Sequence, residues 1–357
     1  MARFAVVLCW IFVLLMSSPM SARAASVNWL YDVDVPVADQ SADTRNAAFK
    51  QALLVALKRL TGLSEVPMNP AVTGALESPQ RYYVEYRYRE DDNPVSGATP
   101  AKVSILAVRF AQNAIQKLIV DAGLPLWSSN RPSTLAWVAI AEGNTRTVVG
   151  ANDRTAIAAA LRARARERGL PLLLPVMDGE EQLEVSAAVV WAGYSQVIEQ
   201  ASDRYTPDRV LVGHVTHAAS WTADWQLSEH ANLQHFNFDS STPEAAAAAI
   251  VDRLVDQLVT RYAVASGAQQ LMQIEVDGIT DVAQYGALMK YLGGLEFIDS
   301  VGVEEVRANL VLLSLATRTP WDRLRDLLAL DGRLQPSEQI ETPVARRVLT
   351  WRGDRQK

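Results

Sequence analysis

The chain has 357 residues with 34 basic and 40 acidic side chains, a formal charge of −6, and 49% hydrophobic and 21% charged residues. That balance excludes a disordered chain and a polytopic membrane protein, and its acidity argues against a nucleic-acid binder. A single cysteine leaves neither a disulfide framework nor a cysteine-based metal centre to be built.

The first element is an address. Arg3 precedes the uncharged apolar run 4–16; Ser17, Ser18 and Pro19 break the run, and Ala22-Arg23-Ala24 has the small-x-small pattern of a cleavage site. We read residues 1–24 as a secretory signal peptide cut between Ala24 and Ala25. The run is shorter than the ~20 residues that span a bilayer, which favours cleavage over a retained anchor. Cys9 lies inside the run behind Leu8, not after the small-residue box of a lipoprotein. Cleavage removes Arg3, Arg23 and Cys9. The expectation is a periplasmic mature chain with no transmembrane span and no thiol, stabilised by apolar burial alone.

The rest reads as α+β in three small α/β sandwich modules, 25–130, 131–266 and 267–357. In the first, residues 29–37 alternate as a half-buried strand. A helix over 43–60 follows, with the stripe Phe49, Leu53, Ala56, Leu57, Leu60 and Gly62 placed to end it. Pro67 and Pro70 mark a loop. Residues 81–89 alternate with period 2, which places Tyr82, Val84, Tyr86 and Tyr88 on one face and Arg81, Tyr83, Glu85, Arg87 and Arg89 on the other. Residues 103–110 form a strand pairing back, and 112–122 a helix.

The second module opens with a strand over 135–140. A helix capped by Asn152 or Asp153 runs to Arg168 and is closed by Gly169. Residues 172–176 read as a buried strand, and 210–215, 221–227 and 233–238 as a meander. Ser241-Thr-Pro-Glu244 starts a long helix presenting Ile250, Leu254, Val255, Leu258 and Tyr262. The third module reads strand 271–276, helix 282–292, strands 297–303 and 309–316, helix 320–330 and strand 344–351. That order, βαββαβ, is ferredoxin-like. The small residues 263–268 read as a linker that few contacts cross.

The run Arg168-Gly-Leu-Pro-Leu-Leu-Leu-Pro-Val-Met-Asp178, with Trp191, Gln200-Ala-Ser-Asp-Arg-Tyr205 and Val210-Leu-Val-Gly213, resembles an exported proteobacterial family known only as a domain of unknown function. The resemblance implies a periplasmic protein and assigns no catalytic residue. More loosely, the second module's order resembles small periplasmic domains that bind other envelope proteins.

His214 and His217 are three apart on a strand and face opposite ways; His230 and His235 differ in parity too, so a metal site needs neighbouring strands and a carboxylate such as Asp224. There is no Gly-x-Ser-x-Gly, no GxGxxG and no Walker loop, and no cofactor is expected. Glu180-Glu181 and Glu304-Glu305 read as solvated charges. Arg162/Arg166 and Arg164/Arg168 form two stripes on helix 153–168, a solvated face or a surface for an anionic partner. Trp221 and Trp225 share a strand face, as core or as an exposed platform. Trp221, Trp225, Arg162 and Arg166 are therefore the candidate partner surface, and no catalytic, cofactor or metal residue is assigned. The expected function is a non-catalytic periplasmic binding or adaptor protein, meeting an envelope protein or an anionic envelope component and no nucleic acid. The alternative is an envelope-component hydrolase using His214 or His217 with a carboxylate.

Overall fold

The computed structural model describes residues 27–91, 103–229, 232–265, 267–337 and 347–353; the signal-peptide segment and His230 lie outside them. The fold is α+β, as the patterning predicts, and its strands form three separate sheets.

The N-terminal sheet contains β1 (Asp32–Val37), β2 (Tyr83–Asp91) and β3 (Val103–Phe110) in the order β1-β3-β2, antiparallel throughout. Residues 28–31 form a single tight turn instead of extending β1. The sheet carries α1 (Ala42–Thr61), α2 (Pro70–Glu77) and α3 (Gln112–Asp121). The stripe Phe49, Leu53, Ala56, Leu57 and Leu60 is buried on it. Gly62 caps α1 at φ +67, a left-handed conformation that costs glycine nothing. Pro70 opens α2 rather than a loop. Asn69 accepts a hydrogen bond from the Val72 amide at 3.0 Å, and a first-turn proline lacks only an N–H that would be orphaned anyway. In β2 the pairing slips between Tyr83 and Glu85. That bulge inverts the expected parity: Tyr83 joins Tyr86 against Phe49, with centroids at 4.6 and 5.1 Å, and Val84 turns to solvent.

The central sheet contains β4 (Thr134–Glu142), β5 (Thr145–Val148), β6 (Leu172–Leu173), β7 (Arg209–His217), β8 (Trp221–Glu229) and β9 (Asn232–Ser240). Its order is β5-β4-β7-β8-β9, with β6 on β4. β4 and β7 run parallel, so a crossover joins them, and it holds α4 (Ala156–Arg168), α5 (Gly179–Glu184), α6 (Ala187–Ala192) and α7 (Ser195–Ser202). Helix α8 (Pro243–Tyr262) follows β9, capped by Thr242, whose hydroxyl accepts from the Ala245 amide at 3.1 Å. Two expectations fail here. The strand at 172–176 is two residues long, with Val176 exposed, and α4 starts after Thr155, not at Asn152 or Asp153.

The C-terminal unit contains β10 (Gln270–Asp277), α9 (Val282–Gly293), β11 (Ile298–Arg307), β12 (Leu310–Thr317), α10 (Trp321–Ala329), β13 (Leu334–Pro336) and β14 (Val348–Trp351). The sheet order β11-β12-β10-β14, with β10 and β14 parallel, is that of a βαββαβ unit, to which β13 adds an edge.

Helices and connecting segments join the three units. The segment 263–268 is not free of contacts: Ala263 and Val264 are buried, Val264 and Leu126 exchange two backbone hydrogen bonds of 2.8 Å, and Arg323 donates to the Ala263 carbonyl. One buried cluster runs from Trp127 through α4 and α8 to the C-terminal strands and helices. Glu296, just before β11, accepts from the Tyr31 hydroxyl at 2.8 Å and the Ser129 amide. Arg131, buried, donates to the carbonyls of Ser128, Trp127, Arg59 and Gly169 and lies over the Trp127 ring at 3.8 Å. Arg59, also buried, donates to the carbonyls of Asp32 at 2.8 Å and Arg166 at 2.9 Å. Guanidinium forks thus satisfy the backbone where module ends meet. Among the described residues, no helix is long and apolar enough to cross a membrane.

Candidate functional site

Alternation gives the central sheet two faces. Leu211, Val215, Trp221, Ala223, Trp225 and Leu227 point to the face buried with α4 and α8. Leu135, Trp137, Ala139 and Val212 point to the other, where Val185, Val190 and Ile198 cover them from α5–α7. That second cover extends over β4 and β7 and stops short of β8 and β9. At its margin lies an open cleft of about 330 Å³, lined chiefly by Trp191, His214, Asp224, Gln226, His235 and Asn237.

Cross-strand register places these side chains. His214 stands opposite Asp224, and Asp224 opposite Asn237. The His214 Nε2 to Asp224 Oδ2 distance is 3.0 Å, and the Asn237 amide donates to the same carboxylate. Gln226 stands opposite His235. On the covered side, Trp191 stacks on the His214 ring at 4.3 Å and 26°, and the Arg146 guanidinium lies 4.1 Å from the Trp191 centroid. The result is a continuous row, Arg146, Trp191, His214, Asp224, Asn237, each member holding the next. It offers amide and imidazole hydrogen-bonding groups beside an aromatic wall.

A small polar network ties the start of α5 to the residues that follow α7. The Asp178 carboxylate caps α5 through the Glu181 amide at 3.1 Å and accepts from Arg204 at 3.0 Å, and these bonds hold its pKa below the usual carboxylate range. Glu181 is buried, contrary to its reading as a solvated charge. It accepts from the Met177 amide at 2.6 Å and the Tyr205 hydroxyl, with Arg204 at 3.1 Å. Burial first, and the bond to Glu181 second, push the Tyr205 phenol up to about 12. A raised phenol pKa favours the neutral form in the fold. Its stabilisation is present below the ordinary value of 10 and is lost as pH rises from there to about 12. Tyr31 and Tyr291, more deeply buried, are pushed up further. Burial raises the Tyr262 phenol as well, and in an alkaline titration followed by near-ultraviolet tyrosinate absorbance these four should form a late-ionising fraction. Tyr205→Phe should remove one late-titrating group, and an unchanged late fraction would refute the assignment.

The other sequence candidates fall elsewhere. Trp221 and Trp225 are 7% and 2% exposed. They belong to the core beneath α8, which corrects their reading as an exposed platform: β8 alternates, and its tryptophan face is the one the helix covers. His217 stacks on Trp221 at 4.3 Å, on the face opposite His214 as parity predicts. Arg162 donates to the carbonyls of Ala151 and Asp153 and ties α4 to its preceding loop. Arg166 lies over Trp29 at 5.1 Å and 4.0 Å from Asp34, against the N-terminal unit. Arg164 and Arg168 are paired with Asp252, and Arg168, fully buried, also with Asp256 and the Gly62 carbonyl. Arg164 and Arg168 thus face protein, whereas Arg162 is half-buried and Arg166 stays exposed at the edge of the N-terminal unit. Sequence reasoning missed Trp191 and Asn237 as cleft residues and Arg146 behind Trp191; α6 and β5, which carry Trp191 and Arg146, were not foreseen. The parity of residues 235 and 237 with 224 and 226 was available once the meander was drawn. Among the described residues, no group of three or more His, Cys, Asp or Glu side chains is placed to hold a metal ion.

Residues 24–128 match a domain of unknown function (DUF8605). The match covers the N-terminal unit, whereas the segments that carried the resemblance, 168–178, 191, 200–205 and 210–213, lie beyond it. No curated protein matches the chain.

Proposed function

We propose that this protein is a non-catalytic binding or adaptor protein of the periplasm, exported by a cleaved signal peptide, and that it holds an extended segment of an envelope protein against the outer side of β9. The observation that carries the reading is the state of that edge. β9 is nine residues long and ends its sheet. It has no proline, lysine or arginine, the residues with which exposed edges are usually blunted. An added strand gains main-chain hydrogen bonds from the edge and side-chain selectivity from a flanking pocket, and the cleft with its exposed His235 and Asn237 lies at that strand.

A photo-crosslinking residue at position 235 should capture a partner in the periplasm, and one at exposed Thr73, on the N-terminal unit, should not. Ala192, exposed at the cleft wall, is the place to block it. Ala192→Trp should reduce capture at 235 at least tenfold, about 1.4 kcal/mol of binding, with unchanged melting. Equal capture at both positions, or capture unaffected by the tryptophan, would discard the proposal.

One observation favours a second reading, the hydrolase. His214 with its Asp224 partner has the geometry of an oriented general base that activates water. In that case His214→Ala abolishes turnover of an envelope substrate while crosslinking at 235 persists.

A further inference from the structure

A second cleft, of about 380 Å³, lies on the other face of the sheet, where the start of β7 and the β8–β9 end meet the last turns of α8. Its basic residues are Arg209, Arg253 and Arg261, and its acidic residues Glu229 and Asp256. The charges do not cancel locally. Asp256 is engaged by Arg168 at 2.9 Å. Glu229 is shared: Arg209 Nε at 3.8 Å and Arg261 Nη1 at 3.5 Å. Arg253 has no ion-pair partner among the described residues and lies 5.5 Å from the Phe236 ring centroid.

Arg209 is the informative member. It is 2% exposed, yet its Nε and Nη1 have no hydrogen-bond acceptor, and Oε1 of Gln257 on the same cleft's wall has no donor. The 3.8 Å approach of Glu229 is too long for a hydrogen bond. A buried guanidinium is normally matched by acceptors on its fork; Arg59 and Arg131 are bonded to backbone carbonyls in this way. Burial pushes the Arg209 pKa down and Glu229 only partly opposes it. The cleft therefore has a surplus of positive charge and unmatched polar atoms on both sides.

We infer that the cleft between β9 and α8 is an oxyanion site, in which Arg209, Arg253 and Arg261 receive a phosphate or carboxylate group and Gln257 accepts from a donor beside it. This differs from the anionic-partner surface read from Arg162 and Arg166, whose side chains contact the 151–153 loop and the N-terminal unit. It is also independent of the β9-edge reading, since it lies on the opposite face of the sheet.

The test uses the full-length mature protein. Inorganic phosphate or acetate should raise the melting temperature of the central unit by about 2–4 °C at ten times Kd, beyond any effect of chloride at equal ionic strength. Arg253→Gln/Arg261→Gln alters two exposed side chains and should keep the chloride-state melting temperature while losing at least tenfold in affinity by calorimetric titration. Arg209→Met should lose the response too, and if it fails to fold, the double variant still decides. Sedimentation with phosphatidylglycerol vesicles separates the sources: association that inorganic phosphate competes away identifies a lipid headgroup, and phosphate binding without association identifies a free anion. No oxyanion response beyond chloride, or an equal response in the double variant, overturns the inference.

Discussion

Arg131→Ala is expected to destabilise the protein by roughly 3–5 kcal/mol, a large share of what a typical domain has. The side chain is buried and donates to four carbonyls, those of Trp127, Ser128, Arg59 and Gly169. Removing it leaves these acceptors in a site that water does not reach, at about 1–3 kcal/mol for each that finds no new partner. It also removes the cation from the face of Trp127. Arg131→Lys should recover little, because an ammonium cannot reproduce the planar fork. The damage should be shared between units, since the acceptors lie on α1, on the 127–131 segment and at the end of α4. Urea unfolding followed by tryptophan fluorescence should show the midpoint falling for both the N-terminal and central units. A loss under 1 kcal/mol, or one confined to a single unit, would mean that Arg131 does not join them.

Gly213→Ala should cost about 2–4 kcal/mol, which is unusual for adding one methyl group. Gly213 and Trp225 are direct cross-strand partners. The indole lies over the glycine so closely that a Cβ would sit 2.1 Å from Cε3 and 2.5 Å from Cζ3. Either the sheet or the ring must move, and the ring is fixed beneath α8. Trp225→Leu alone leaves a cavity. Combined with Gly213→Ala, it should cost less than the sum of the two single changes, with a coupling above about 1 kcal/mol. Additive losses would show that the close approach is not what requires glycine. Because β7 and β8 carry His214 and Asp224 on the opposite face, Gly213→Ala should also weaken capture at position 235.

Local rules reached far along this chain. The α1 stripe with its glycine stop, the meander with its tryptophan face and the βαββαβ succession were all legible, because each depends on a period of 2 or 3.6 and on neighbouring capping residues. Parity also assigned His214 and His217 to opposite faces. Failures came where the outcome depends on residues far apart in sequence. The bulge in β2 reversed the tyrosine face, since packing Tyr83 on Phe49 outweighed strict alternation. The arginines of α4 look like a solvated stripe by spacing. Arg164 and Arg168 are drawn in because α8 brings Asp252 and Asp256 to them, while Arg166, still exposed, meets Trp29 and Asp34 of the N-terminal unit. Glu181 illustrates the same point: a charged side chain reads as solvated until the fold supplies its partners. The sequence by itself determined the α+β class, the element order and the apolar faces, for these follow from short-range periodicity. Only the tertiary structure decided which polar residues are buried, which tryptophans are core and where the open edge and the two clefts lie. Those depend on which surfaces remain after every apolar face has found its cover.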